Sequence, residues 1–401
     1  MNAGIVLTAL LTMSALLQIW LAARQFRYLQ RLAERRLREA GRARVAFACS
    51  VTALEFMLTL GLTLGGGIAY LDGFWHDRPA GAAGLVASVV LASVLLHVAL
   101  RIAYARIVEA SLDVARFSLK ELLARASRPI LPIIIVSAAA GQALAWLMTT
   151  APSTWWLWAT LLWTAGLIAR VWLISDQPGG GLGTPFLPSS QPLTDPRLAP
   201  RLAAALARYG LAGSEIRITV SPPGALRANA RLAGTGRSRH VELSDTLLYL
   251  LTPAEVEAVL AHEAGHWRCR HVIRDLANRA LLSMAGFGAL ALAMHHPWIL
   301  GQMAIPDTSP AAWLAAAVAL APLAAVLATP LRAHWRRQME YEADAFAAAY
   351  ADKQALMRAL EKLDASNATD RAGDPIYACF HHFHPSQTDR RRRLDTMPTR
   401  E

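Results

Sequence analysis

Cysteine is nearly missing from this chain of 401 residues. Cys49, Cys269 and Cys379 are too few and too scattered to staple a small disulfide scaffold or to build a cysteine-based zinc ribbon. Charge is scarce as well: 17% of residues are charged, against about 25% in an ordinary soluble domain. A hydrophobic share of 54% excludes a disordered tail, which needs low hydrophobicity. Acidic residues are the scarcer sign, 29 against 40 Lys and Arg, leaving a net charge of +11. A basic excess fits a nucleic-acid partner or the cytoplasmic loops of a membrane protein, and the positions of the arginines decide between them.

A helix crossing ~30 Å of hydrocarbon needs about 20 mostly apolar residues. Ala3–Ala23 carries no charge, Val45–Leu71 carries only Glu55, and Pro79–Leu100 has only His97 as an ionisable group. Between Arg128 and Arg170 no residue is charged, a stretch long enough for two crossings with a turn at Thr149–Thr154. Spans are therefore expected near 129–148 and 155–174, and two more at Ala280–Ile305 and Thr308–Leu331, parted by His295-His296-Pro297 and Pro306-Asp307. That makes seven. Glu55, His97 and Gln142 are polar groups inside spans, which raises a functional reading for each; lining a watery cavity is the plainer one.

A signal peptide has its positive charge ahead of the apolar run; here eight arginines follow it, between Arg24 and Arg44, so an uncleaved anchor is expected. Arg101–Arg128 holds six Lys and Arg, whereas the segments around 72–80, 149–154 and 306–307 hold only Arg78. By the positive-inside rule the N-terminus is outside and the first group of loops is cytoplasmic. The basic excess is thereby explained without nucleic acid. Trp155, Trp156, Trp158 and Trp172 near span ends suit interfacial anchoring.

The expected organisation is membrane spans 1–5 over residues 1–174, a soluble segment over 175–279, spans 6–7 over 280–331 and a second soluble segment over 332–401. Spans six and seven go out and back, so both soluble segments face the cytoplasm and can form one domain. The first opens with the connections Gln177–Gly181 and Pro188–Pro192 and has helical patterning at Pro200–Tyr209. Ile216–Val220 alternates like a strand, Arg239–Leu243 is a candidate second strand, and Gly234 and Gly236 signal a turn between. Thr252, Pro253 and Glu255 then spell a helix start with a Thr-x-x-Glu capping box.

Two turns into that helix stands His262-Glu263-Ala264-Gly265-His266. Residues four apart share a helical face, so both imidazoles can reach one metal ion, and Glu263 sits where a general base for water would. A working zinc site needs a third protein ligand. Beyond the seventh span, Glu340 and Asp344 share a helical face while Glu342 points away. Glu340 is the expected ligand and Asp344 the acceptor that orients a ligand histidine. An acidic cluster alone is more often a solvated face; its return to the same side of the membrane favours the metal.

These residues resemble the type 1 CAAX prenyl endopeptidases, a family of integral-membrane zinc metallopeptidases with the His-Glu-x-x-His motif. The resemblance rests on Leu260–Arg268 with His271, Asn229-Ala230, Leu243–Leu248, Glu340–Asp344, Asp374–Tyr377, His384-Pro385, Arg390 and Leu394-Asp395. It is specific over about 226–274 and 332–395; in the spans it rests on count and order. Arg336 departs from it, since the family usually has Ser there. The resemblance implies a mainly α, polytopic membrane protein: seven transmembrane helices enclosing a chamber, with a cytoplasmic α+β zinc-metallopeptidase domain carrying a small sheet. It implies His262, His266 and Glu340 as ligands of one zinc ion and Glu263 as general base. It further implies that His384 and Arg390 contact substrate or transition state, and that Asn229 and Ala230 lie on an edge strand that pairs with the substrate backbone. The implied partners are a peptide or protein substrate, with lipidated and membrane-proximal ones in range, and membrane lipids.

Two other functions compete. An HtpX-like membrane-protein quality-control protease shares the metal motif on fewer spans. A seven-span transporter or receptor with a vestigial site is disfavoured because base, ligands and supporting acid are all present. Cys269 near the motif reads as a small buried thiol, and His381 and His382 as helix-surface residues at least in part. The arginine run 390–393 is balanced between lipid headgroups and a solvated face.

Overall fold

A computed structural model of the chain describes residues 3–31, 35–109, 118–175, 190–220, 228–234, 239–301, 303, 305, 308–367 and 373–397. The Gln177–Gly181 connection, Pro188-Ser189, Gly236 and the Pro306-Asp307 break lie outside the described residues. The chain divides into two compact units, one of Met1–Gly166 with Arg279–Thr329 and the other of Leu167–Asn278 with Pro330–Glu401.

The first unit is helical. It holds α1 (Ala3–Gln30), α2 (Arg35–Leu62), α3 (Gly67–Trp75), α4 (Gly81–Tyr104) with a π-helical turn at Ala105–Glu109, α5 (Leu119–Ser127) and α6 (Ile130–Thr150). α7 (Trp155–Ser175) begins there, and α11 (His271–Met294) ends there. α12 (Trp298–Gly301), α13 (Pro310–Ala319) and the start of α14 (Ala321–Tyr350) complete it. Its core joins Leu7 and Leu11 of α1, Leu85, Val86 and Val89 of α4, Ala145 and Met148 of α6, and Trp313 and Ala316 of α13.

Five helical segments are long and apolar enough to cross a bilayer: Gly4–Gln30, Gly41–Leu62, Gly81–Val108, Leu119–Thr150 and His271–Met294. The pair α13 and α14, bent by 56°, makes a sixth when counted as one span. Five or six segments of the described residues thus meet that measure, against the seven spans expected; the expected span near 155–174 is helical, as α7, and lies outside that set. The expected span Val45–Leu71 is also shorter than its apolar run. α2 stops at Leu62 because Gly65-Gly66-Gly67 follows, and Gly66 turns the chain at a left-handed φ of 75° into α3. Large apolar side chains such as Met13, Leu131, Leu161 and Leu292 are exposed. Water would penalise that surface and hydrocarbon does not. The polar groups inside the spans have partners: Nε2 of His97 is 3.1 Å from Oε1 of Glu55, and Oε1 of Gln142 accepts from the Ala83 N–H at 3.3 Å.

The second unit is α+β. It contains β1 (Ser190–Pro192), α8 (Leu198–Arg208), β2 (Glu215–Thr219), β3 (Ala230–Ala233), β4 (His240–Ser244), α9 (Asp245–Leu250) and α10 (Pro253–Arg268). The start of α11, the later part of α14, α15 (Lys353–Asn367), α16 (Pro375–His381) and α17 (Gln387–Asp395) belong to it as well. The sheet order is β1-β2-β4-β3, with β2 and β4 parallel and β3 antiparallel to β4. Among the described residues β3 is therefore an edge. Neither β1 nor β3 alternates in hydropathy, and both are set by pairing. α10 runs through the core: Leu260, Ala261 and Ala264 pack with Leu206, Leu243, Ala347, Leu356 and Leu394.

Candidate metal centre and catalytic site

The start of α10 follows from local chemistry. Oγ1 of Thr252 accepts from the Glu255 N–H, and the Glu255 carboxylate accepts from the Thr252 N–H at 2.9 Å, a complete capping box worth about 1 kcal/mol. Lys362 of α15 holds the same carboxylate at 2.7 Å. With its start and its buried face set, α10 presents His262, Glu263 and His266 at fixed angles.

The partner helix α14 comes very close. A Cβ built on Gly265 would stand 2.9 Å from Cα and 3.1 Å from the carbonyl oxygen of Ala343. Only a residue without a Cβ lets these two backbones approach so far, and the approach carries Glu340 to the histidines. We expect Gly265→Ala to destabilise the second unit by about 1–3 kcal/mol through overpacking and to weaken metal binding. Thermal unfolding and metal content of the purified variant check both, and a variant as stable and as metal-loaded as the parent counts against this spacing role.

Nε2 of His262 and Nε2 of His266 lie 3.1 Å apart. The Glu340 carboxylate is 3.6 Å from the first and 3.8 Å from the second. One donor atom from each residue lies within 4.8 Å of the others. Two nitrogens on a tetrahedral ion of zinc's size, each ~2.0–2.1 Å away, stand ~3.3 Å apart. The donor set therefore fits a small divalent cation in both chemistry and spacing.

Behind this set, Nδ1 of His262 is 2.9 Å from Oδ1 of Asp344. Arg390 donates to both oxygens of Asp344, from Nε at 2.7 Å and from Nη2. Arg390 thus differs from the substrate contact implied by the resemblance. Its side chain is 4% exposed and bound to Asp344 (itself 2% exposed), so it sits behind a histidine and not beside a reacting group. The pair is buried on both sides because a buried guanidinium requires a matched carboxylate.

Burial alone would push the His262 imidazole down; its hydrogen bonds to Asp344 and Glu340 outweigh that and carry it up to about 9. Burial and the charge on His262 push His266 down to about 3. Without a metal ion, burial pushes the Glu263 carboxyl up to about 7, against the pull of His262. A cation on the adjacent donors would favour the ionised form.

His384 lies just after α16, with Nδ1 3.0 Å from Oε1 of Glu340 and the ring 48% exposed. It is the most accessible member of the cluster. Asn229 precedes the edge strand β3: its N–H donates to Oγ of Ser244 and its carbonyl accepts from the Ser244 N–H, both at 2.9 Å. Ala230 begins β3, opposite Leu243. Cys269 is not grouped with His262, His266 and Glu340; its sulfur lies within 4.8 Å of donors on His271 and Glu342. His381 stacks on Tyr377 at 4.3 Å, and the His382 carbonyl accepts from Arg337.

Sequence spacing assigned no role to Gly265, His271 or Glu342, though each was in view, and passed over Arg274. His271 contacts His266, and Glu342, which points away from Glu340 along α14, contacts His271 and Arg274. The available signal was a histidine directly after the helix end, opposite an acid two residues beyond Glu340.

A half-buried carboxyl base beside two imidazoles and a carboxylate that share one cation-sized space is how a metal-dependent hydrolase is built. Comparison with known proteins agrees. Residues 192–398 match the model of peptidase family M48, and the chain belongs to that family. It is 29% identical to "CAAX prenyl protease 1 homolog" of Arabidopsis thaliana, over 42% of this chain and 40% of that one. It is 26% identical to "CAAX prenyl protease 1" of Saccharomyces cerevisiae, over 53% of this chain and 50% of that one. The matched region thus spans about half or less of the length of these curated relatives. The crystal structure of S. mikatae Ste24p superposes with a TM-score of 0.80 over 98% of this chain and 99% of the other at 18% identity, which is a likeness of fold. With its apolar helices, the chain is an integral membrane protein.

Proposed function

We propose that this chain is a membrane-embedded, zinc-dependent endopeptidase of the CAAX prenyl protease type. The observation that carries the reading is the convergence of His262, His266 and Glu340 from α10 and α14, with Glu263 next to them. His262, His266 and Glu340 would hold the zinc ion. When bound, zinc lowers the pKa of water to about 7 and polarises the scissile carbonyl.

Glu263 takes the proton from the attacking water and passes it to the leaving amine. Asp344 accepts the Nδ1–H of His262 and keeps its Nε2 lone pair toward the site, while Arg390 holds Asp344 in place. His384, on the exposed side beside Glu340, donates to the oxyanion that develops on the substrate carbonyl. The edge strand β3, entered through Asn229 and Ala230, pairs with an extended peptide; backbone pairing supplies affinity without demanding one side chain.

In this reading the chain crosses the membrane seven times, as segments 1–174 and 280–331, around a chamber. The N-terminus is outside, and segments 175–279 and 332–401 are cytoplasmic. The positive-inside pattern supports that orientation. The relatives favour this reading over the quality-control and transporter ones. Their name makes a prenylated C-terminal peptide the first substrate to offer.

The test uses full-length protein in detergent or nanodiscs. One zinc per chain is expected, with cleavage of a prenylated peptide or a mixture of extended peptides that a chelator stops and added zinc restores. Protein that binds no zinc, or a zinc-loaded protein whose cleavage survives chelation, would overturn the reading.

A further inference from the structure

Each of the two histidines of α10 has its Nδ1 occupied, but by different partners. For His262 the partner is Asp344, backed by Arg390. For His266 it is Nδ1 of His271, at 2.8 Å. His271 is 5% exposed, and its Nε2 lies 3.0 Å from Oε2 of Glu342. Arg274, one turn further along α11, in turn grips both oxygens of Glu342.

Local backbone geometry brings His271 back to His266. α10 ends at Arg268, Cys269 caps it, and Arg270 adopts a left-handed φ of 55°, so α11 begins immediately at His271. A non-glycine residue in that conformation is uncommon and is kept where surrounding contacts hold it. Without the reversal the chain would continue away from the turn that carries His266.

Hydrogen-bond accounting assigns the protons. Two Nδ1 atoms at 2.8 Å need one N–H and one lone pair between them. If Nε2 of His266 is the lone pair that meets the metal, the ring's proton is on Nδ1. Nδ1 of His271 must then accept, which puts the His271 proton on Nε2, pointing at Glu342. Arg274 keeps Glu342 ionised and aimed. Every donor in the chain Arg274, Glu342, His271, His266 then has an acceptor.

We infer that His271 is a positioning residue: it fixes the tautomer and ring orientation of His266 through a relay ending in Glu342 and Arg274, the counterpart of the Asp344 and Arg390 arm behind His262. This rests on His266 being a metal ligand. Outer partners of ligand histidines typically contribute about 10–100-fold in metal affinity.

The relay also occupies the group of Cys269, His271 and Glu342, where a second metal ion would have to compete with it. Its imidazole and carboxylate are already engaged with His266 and Arg274.

The experiment measures zinc affinity of purified full-length protein by competition with a fluorescent chelator, together with the visible absorption spectrum after cobalt substitution. His271→Leu keeps bulk and loses the acceptor; His271→Gln keeps an acceptor oxygen in reach of the Nδ1–H. His271→Leu should bind zinc about 10–100-fold more weakly with an altered cobalt spectrum, and His271→Gln should recover most of both. Leu and Gln variants that bind alike, whether as tightly as the parent or equally weakly, overturn the relay, since packing alone would make them equal. His262→Ala separates the two levels. If it retains zinc, the donor set itself is misassigned; if it loses zinc while His271→Leu binds like the parent, only the relay fails.

Discussion

Glu263→Gln should bind zinc at the parent stoichiometry and hydrolyse peptide roughly 100- to 10,000-fold more slowly, the range by which a positioned general base accelerates a reaction. The glutamine has the same shape and volume and cannot accept a proton. Glu263 lies on the same turn of α10 as His262 but is not one of the three convergent donors, so the metal loses no ligand. Burial raises its carboxyl above the ordinary carboxylate range, and a cation on the adjacent donors would work against that and favour the ionised form that accepts a proton. Zinc content and turnover on the same preparation check the prediction together. A variant with more than about a tenth of parent turnover would lie outside that range and exclude Glu263 as the base.

Asp344→Ala should unfold more easily by about 3–5 kcal/mol, because it leaves the buried Arg390 guanidinium without its carboxylate. That is a large part of the 5–15 kcal/mol typical of a folded domain. The same change removes the acceptor for Nδ1 of His262, so metal affinity should fall about 10–100-fold in protein that still folds. The two effects separate in the double variant Asp344→Leu with Arg390→Met. Removing both charges restores most of the stability but leaves His262 without its acceptor, so zinc affinity stays low. Unfolding in detergent and chelator competition measure the two quantities. If the single variant melts with the parent, the Asp344–Arg390 pair contributes nothing and the reading of Arg390 as a support fails.

Much of this site was legible in the primary structure wherever one helix carried the information. The capping box at Thr252 and Glu255 places the start of α10 within a residue. From that start, a spacing of four puts His262 and His266 on one face, and the same spacing puts Glu340 and Asp344 together on α14. The apolar runs placed the long helices for the same reason, since a bilayer demands about 20 apolar residues in a row. Where the apolar run continued through Gly65–Gly67, hydropathy could not see the break that three glycines impose, and α2 ended early. The strands β1 and β3 were not readable from alternation either, because each is short and owes its existence to a neighbour.

Arg390 shows the limit from the other side. Its position in the sequence matched a family pattern, and that match suggested contact with substrate. Its burial against Asp344 depends on α17 meeting α14, a contact 46 residues apart that no local periodicity encodes. His271 is similar, for its use depends on the left-handed turn at Arg270 and on Glu342 from α14.

The scarcity of charge and the long apolar runs determined by themselves that this is a membrane protein. The spacing of two histidines and two acids picked out the candidate donors that the structure brings together. Only the tertiary structure decided how close α10 and α14 come at Gly265, which side of the metal set Arg390 occupies, and what holds His266. Those depend on distances between segments far apart in the chain, which packing sets once the whole core has formed; residue order along one helix carries no record of them.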